Sequence, residues 1–267
     1  MRAHLIAFIG RILVFSLLIA ALAQPTLHYQ GERQPSDYVI AIDTSASMAA
    51  TDILPNRFDA AKELSIRFVD EVDSQAAIGV VGFSGYPRVY QALTNDTEQV
   101  RSAINSMTIP RISGTDIGGA VITSTNVLSV SNQGRAIILI TDGVSTAGQA
   151  EEDNIATAIS YARDYDVTIH AIGIGREAAA PLGYLPTLYN VSAQYSDLDL
   201  VRLTNQTNGQ LYNAQTLLEL ENAFEELLEA PESTSVRYEL LNILLAAALL
   251  LLFIEWAFMN SRLRIIP

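Results

Sequence analysis

The chain has 267 residues, no cysteine and a net charge of −13. The lack of cysteine excludes disulfide frameworks, zinc ribbons and thiol nucleophiles. The acidic balance argues against nucleic acid as a partner, because a phosphate backbone is bound by basic surfaces. The charge is uneven, since residues 24–239 hold 28 acidic against 12 basic side chains and the two ends carry a small positive excess.

The N-terminal residues 1–23 are apolar apart from Arg11 and a few small polar positions. This run predicts a membrane anchor, with Arg11 reaching the membrane surface along its aliphatic stem. A signal peptide that is cleaved after Ala23 is the alternative. The following residues, 24–36, are predicted to be a linker.

Four apolar runs rich in Ile and Val predict strands that are buried on both faces of a parallel sheet. The runs are Tyr38–Ile42, Ala77–Phe83, Ala136–Ile140 and Val167–Ile172, and Arg88–Leu93 is predicted as an antiparallel edge strand. Helical patterns alternate with these strands. Residues 37–228 are therefore predicted to form one α/β domain, a doubly wound, mostly parallel sheet with helices on both faces.

Three helices of this domain have clear signals in the sequence. Apolar residues at helical spacing run from Phe58 to Val72, and a second such stripe runs from Ile155 to Ala162. Thr216 and Glu219 have the spacing of a capping box, which predicts the start of a last helix.

The C-terminal part of the chain, like the N-terminal part, contains a long apolar run. Residues 229–238 are predicted to be a linker, 239–259 a transmembrane helix and 260–267 a cytoplasmic tail, because about 20 apolar residues match the thickness of a bilayer core. Arginines flank the far side of each apolar segment. The positive-inside rule then places both termini in the cytoplasm and the domain outside the cell membrane.

Polar residues follow two of the predicted strands and open one of the helices. The first strand ends in Asp43-x-Ser45-x-Ser47, another is followed by Asp142, and Thr115 precedes a helical segment. Ligands of open α/β sheets bind at the carboxyl ends of the strands, so these side chains are expected to converge. Their oxygen atoms favour Mg²⁺, Ca²⁺ or Mn²⁺. The alternative is that the two serines only cap a helix.

This set of five residues resembles the metal-ion-dependent adhesion site of von Willebrand factor A domains. The stretches ILPNRFDAAK, IGVVGFSG, ALTND, SGTDIGGA and IILITDG are similar to the BatA/BatB group of aerotolerance-type membrane proteins. The resemblance implies that the hydroxyls coordinate the ion and that the aspartates bind it mainly through water. It also implies that an Asp or Glu of a partner protein completes the site, and that a MoxR-type AAA+ ATPase belongs to the same system.

Four further residues are predicted to contact the partner protein. Tyr86 lies in a short loop, and Tyr184 and Tyr189 lie in a long one, and both loops leave the strand edge that carries the site. Asp116 adjoins Thr115. A scaffold that uses other faces of the domain is an open alternative.

Enzymatic activity is not expected. A serine–histidine pair built on Ser84 is disfavoured because its context is not G-x-S-x-G, and the one histidine after it, His170, lies on a buried strand. The glycines of Gly173-x-Gly175 resemble a dinucleotide motif, but nearby prolines break the helix that such a site needs. A metal-dependent hydrolase with Asp116 or Asp52 as the base is the remaining enzyme alternative.

Overall fold

The structure is a computed structural model that describes residues 2–23, 25–30, 36–72, 74–110, 114–143, 149–175, 180–181, 192–193, 197–229 and 235–262. The chain forms two compact units. The larger unit comprises residues 32–234 and encloses the predicted domain of residues 37–228. The smaller unit comprises residues 1–31 together with residues 235–267.

Strands and helices alternate along the larger unit. In chain order the elements of the protein are α1 (Arg2–Leu22), β1 (Thr26–Gln30), β2 (Ser36–Asp43), a 3-10 turn (Ala46–Ala49), α2 (Arg57–Glu71), β3 (Ile78–Phe83), β4 (Pro87–Thr94), α3 (Thr97–Ser106), α4 (Ile117–Leu128), β5 (Gly134–Thr141), α5 (Gln149–Asp164), β6 (Val167–Ile174), β7 (Ala180–Pro181), β8 (Ser192–Ala193), α6 (Leu198–Gln206), β9 (Leu211–Ala214), α7 (Leu217–Glu229), β10 (Ser235–Glu239) and α8 (Leu241–Arg262).

A six-stranded sheet in the order β4-β3-β2-β5-β6-β9 forms the centre of the larger unit. The pairing of β4 with β3 is antiparallel, and the other four pairings are parallel. The predicted parallel sheet and its antiparallel edge strand are therefore confirmed. Strand β9 was not predicted, because it is only four residues long and lies half exposed at the other edge of the sheet.

Helices cover both faces of this sheet, as predicted. Successive side chains of a strand point to opposite faces, so Ile40 and Ile42 of β2 pack with α2, α3 and α7. Val39 and Ala41 pack with α4, α5 and α6 on the other face. The central strands are buried on both sides, which explains their near-continuous apolar sequences.

The predicted capping box at the start of α7 forms with a small shift. The Thr216 hydroxyl accepts a hydrogen bond from the backbone N–H of Glu219, at 3.2 Å. The Glu219 carboxylate reaches back to the backbone N–H of Gln215, at 2.8 Å, rather than to that of Thr216. Two backbone donors at the N-terminus of the helix are thereby satisfied.

The smaller unit pairs segments from the two ends of the chain. Strand β1 runs antiparallel to β10, and helix α1 contacts helix α8. Arg11 of α1 donates to Glu255 of α8, with Nε and Oε1 2.9 Å apart. The segments predicted as linkers, 24–36 and 229–238, therefore contain strands. Their pairing is not visible in the local sequence, because it joins segments about two hundred positions apart.

Helices form where membrane segments were predicted, over Arg2–Leu22 and Leu241–Arg262. Within the part of the chain that the structure describes, no helix has both the length and the apolar character that a membrane crossing requires. The prediction of two transmembrane helices, at residues 1–23 and 239–259, is therefore not confirmed.

Candidate metal centre

Asp43 is the last residue of β2, and its side chain is completely buried. The backbone N–H of Ser45 donates to its Oδ1 at 2.7 Å, and the Thr141 hydroxyl donates to its Oδ2 at 2.6 Å. Both donors are uncharged. They hold the carboxylate in one orientation without cancelling its charge.

A second buried carboxylate lies at the end of the neighbouring strand. Asp142 follows β5, which pairs in parallel with β2, and it is also completely buried. Burial, and next the negative charge of Asp142, raise the pKa of Asp43 to about 7. Two carboxylates in one buried place repel each other, and a cation between them removes that repulsion.

The two serines after Asp43 lie beside each other at the start of the 3-10 turn. Their hydroxyl oxygens are hydrogen-bonded at 2.9 Å. Ser45 is the N-terminal flanking residue of the turn, yet its side chain makes no capping hydrogen bond. The alternative that Ser45 serves only as a helix cap is therefore wrong.

Backbone hydrogen bonds bring the loop of Thr115 to the same edge of the sheet. The N–H of Asp116 donates to the carbonyl oxygen of Ser84 at 2.7 Å, and the N–H of Thr44 donates to that of Phe83 at 2.6 Å. Thr115 itself is buried. Gly114, just before it, has a φ of 116°, a conformation that favours glycine and turns the chain into α4.

The four residues predicted to contact a partner differ in their surroundings. Asp116 is the N-cap of α4, where its Oδ1 accepts from the N–H of Gly119 at 2.7 Å and from Asn154 Nδ2 at 2.9 Å. Tyr86 is 55% exposed. Tyr184 and Tyr189 lie outside the described residues. Contact of these four residues with a partner stays a prediction.

Arg57 is a residue of this site that the sequence analysis missed. It is the first residue of α2, it is completely buried, and its Nη1 lies 3.2 Å from Oδ2 of Asp142. Its Nε and Nη2 donate to the two carboxylate oxygens of Asp52, at 2.8 and 2.6 Å. The available signal was its position, because the first turn of a helix disfavours a positive charge.

Comparison with known proteins finds a family model that matches the part of the chain that carries this site. Residues 38–145 match the model of the von Willebrand factor type A domain, and this range contains Asp43, Ser45, Ser47, Thr115 and Asp142. Residues 38–145 of the chain are therefore similar to von Willebrand factor type A domains. The predicted resemblance is thereby confirmed at the level of the domain.

Solved structures share the fold of this chain over about three quarters of its length. BatB from Bacteroides thetaiotaomicron superposes with a TM-score of 0.62 at 23% identity, covering 73% of this chain and 100% of that one. An aerotolerance-related membrane protein from Bacteroides fragilis superposes with a TM-score of 0.62 at 22% identity. The match covers 73% of this chain and 98% of that one. Proximal thread matrix protein 1 from mussel byssus, with a zinc-occupied MIDAS motif, superposes with a TM-score of 0.53 at 19% identity. The match covers 76% of this chain and 48% of that one.

Curated relatives with similar sequences include UPF0353 proteins of mycobacteria. A UPF0353 protein of Mycobacterium avium is 28% identical over 234 residues, which are 81% of this chain and 67% of the relative. A UPF0353 protein of Mycobacterium sp. strain KMS is 28% identical over 224 residues, which are 79% of this chain and 65% of the relative. The chain thus spans about two thirds of the length of these relatives.

The donor set of the domain fits a hard divalent cation in its chemistry. It offers carboxylate oxygens from Asp43 and Asp142 and hydroxyl oxygens from Ser45, Ser47 and Thr115. Among the described residues, no three His, Cys, Asp or Glu side chains cluster in a way that could hold a metal ion. A metal at this place would therefore depend on the hydroxyls as well as on the two carboxylates.

Proposed function

We propose that the domain binds Mg²⁺, Ca²⁺ or Mn²⁺ through Asp43, Ser45, Ser47, Thr115 and Asp142. The observation that carries this proposal is the pair of fully buried carboxylates, Asp43 and Asp142, at the ends of adjacent strands. Burying one charge is costly, and burying two of the same sign is more so. A bound divalent cation would offset both.

The proposed role of the ion is to capture an acidic side chain of a partner protein. The hydroxyl donors bind a cation without neutralising it, so the ion keeps an attraction for a further carboxylate. The function is then protein binding rather than catalysis. A MoxR-type AAA+ ATPase is a proposed part of the same system.

The metal-dependent hydrolase is the less favoured function. Asp52, one candidate base, accepts two hydrogen bonds from the Arg57 guanidinium, and Asp116, the other, caps α4. Both carboxylates are thus engaged in structural contacts. A general base needs a carboxylate that can reach the proton it takes.

The proposal is tested by titrating the purified protein with Mg²⁺, Ca²⁺ and Mn²⁺ in a calorimeter. We expect one site per chain in the wild type and at least a hundredfold weaker binding in Asp43→Asn, because an amide loses the charge that attracts the cation. Asp164→Asn, at an exposed position on α5, is the matched control and should bind as the wild type does. Absence of binding to the wild type would rule out the metal site.

Partner capture is tested in the same variants. A protein that is retained from a membrane-solubilised extract with Mg²⁺, and is lost both with EDTA and with Asp43→Asn, supports capture through the ion. A protein retained under all three conditions instead supports the scaffold alternative.

We also propose that the smaller unit attaches the protein to the cell membrane. One relative of known structure is named as a membrane protein. Large apolar side chains on α1 and α8 are also exposed, among them Phe15, Ile19, Phe253 and Trp256. Exposed apolar surfaces of this kind favour contact with lipid or protein. The extracytoplasmic placement of the domain and the cytoplasmic placement of both termini stay predictions.

A further inference from the structure

The guanidinium of Arg57 lies between a metal-site carboxylate and a third carboxylate. Nη1 contacts Asp142 at 3.2 Å, while Nε and Nη2 form a bidentate pair with Asp52. The side chain of Arg57 has no exposed surface, and that of Asp52 is only 6% exposed. Solvent therefore screens these charges weakly, and their effect on a nearby ion is correspondingly large.

The backbone at the end of β6 also packs closely against the Arg57 guanidinium. Gly175 follows β6 with a φ of +131°, and a Cβ atom at this position would lie 2.5 Å from Arg57 Cζ. Only glycine allows the backbone to approach so closely. Arg57 is thus held in place by two carboxylates and a stretch of backbone, and its charge has a defined position relative to Asp142.

Among the described residues, the contacts named here link four ionisable groups, and their charges contribute to the charge that a cation would meet. When all four groups are ionised, Asp43, Asp52 and Asp142 contribute three negative charges and Arg57 one positive charge, so that these groups together carry −2. A divalent cation would bring that sum to zero. Without Arg57 the sum is −3, and an ion bound there would leave a surplus negative charge.

We propose that Arg57 is a positioning residue that sets the charge of the metal site, limiting its affinity for the cation and keeping the bound ion attractive to an acidic ligand. This inference rests on the proposed metal-binding function. The contact with Asp142 also holds that carboxylate in place when the ion binds. A surplus negative charge would tighten metal binding and would repel the carboxylate of a partner.

A purely structural role for Arg57 leads to the opposite expectation for metal binding. Removing one partner of a buried ion pair leaves an uncompensated charge and destabilises the fold. A distorted site would then bind metal more weakly. Affinity for the cation therefore separates the two roles, because charge control predicts tighter binding in the same variant that is less stable without metal.

The experiment is a charge series in the full-length chain, with calorimetric titration of Mg²⁺ and Ca²⁺ at one ionic strength. In Arg57→Gln the four groups would sum to −3, and we expect this variant to bind Mg²⁺ about tenfold more tightly than the wild type. In Asp52→Asn they would sum to −1, and we expect binding about tenfold weaker than in the wild type. In the double variant the charges sum to −2 again, and its affinity for Mg²⁺ should lie within about threefold of that of the wild type. Arg57→Lys, which keeps the charge, should do the same.

A second measurement compares Tb³⁺ with Ca²⁺ by competition. The preference for the trivalent ion should rise in Arg57→Gln and fall in Asp52→Asn, because it follows the charge of the site. If Arg57→Gln does not fold, then Asp52→Asn and the double variant decide alone. Weaker binding in Arg57→Gln, or wild-type affinity in Asp52→Asn, overturns the charge-control role while the metal site stands. Absence of binding to the wild type overturns both.

Discussion

The charged residues in the interior of the larger unit differ in the kind of partner that each one has. Asp52 is paired with a guanidinium, whereas Asp43 receives hydrogen bonds from uncharged donors. The sequence could predict Asp43, because a carboxylate at the end of an apolar strand is visible in one short stretch. It could not predict the contact of Arg57 with Asp142, because that contact joins residues 85 positions apart.

His170 illustrates a half-buried titratable residue with a structural role. It lies on β6, and its Nδ1 is 3.3 Å from the backbone N–H of Gln210, a geometry in which a neutral ring accepts. Burial lowers the pKa of His170 to about 4. The unfolded chain takes up a proton near pH 6.5, so the folded state loses stability as the pH falls from there through 4.

We therefore expect His170→Asn to flatten the acid side of the stability profile. The asparagine oxygen replaces Nδ1 as acceptor, so both proteins should have similar stability at pH 7.5. Between pH 7 and 4 the wild type should lose about 1–3 kcal/mol relative to the variant, a range reduced for the remaining solvent contact of the ring. Urea unfolding in metal-free buffer at several pH values measures this difference. Parallel profiles would contradict the assignment.

At the scale of strands and helices, the sequence predicts what depends on local pattern. The runs of Ile and Val predicted the central strands because these strands are buried on both faces, and the stripe from Phe58 to Val72 predicted α2. Strands β1 and β10 could not be predicted in this way. They are short, and each is completed by a partner from the opposite end of the chain.

The N-terminus of α4 allows a cap and a partner contact to be separated at Asp116. Asp116→Asn keeps a good capping side chain, so its stability should stay within about 0.5 kcal/mol of the wild type. Asp116→Ala loses the bond to the Gly119 N–H and leaves Asn154 without this acceptor, and it should cost about 1–2 kcal/mol. Thermal and urea unfolding measure both variants.

Partner binding by these variants completes the comparison at α4. Loss of a captured protein in the stable Asp116→Asn variant, with Mg²⁺ affinity unchanged, would support a direct contact by the Asp116 carboxylate. Equal capture by the wild type and by Asp116→Asn would leave Asp116 with the capping role alone. Equal stability of the Asn and Ala variants would contradict the capping role.

At the scale of the whole molecule, charge and polarity differ between the two units. The larger unit, residues 32–234, holds 27 acidic against 11 basic side chains, while apolar side chains are exposed on α1 and α8 of the smaller unit. This contrast favours a water-exposed domain and a smaller unit that contacts lipid. The proposed membrane attachment and the predicted orientation of the domain can be tested directly.

We expect an epitope inserted at Asn95, in the exposed connection between β4 and α3, to be digested when protease is added to intact cells. An epitope after Pro267 should be digested only after the cells are broken. The predicted cytoplasmic position of the termini is the reason for this difference. Protection of the Asn95 epitope in intact cells would contradict the predicted orientation, and release of the protein by alkaline carbonate would contradict firm attachment.

The pairing of β1 with β10 also bears on the order in which a growing chain can fold. Thr26 pairs with Glu239, so β1 leaves the ribosome more than two hundred residues ahead of the strand it needs. The six-stranded sheet is made entirely of residues synthesised in between. Its last strand emerges before β10 does, and the domain can therefore be complete while the two-stranded sheet still waits for its second strand.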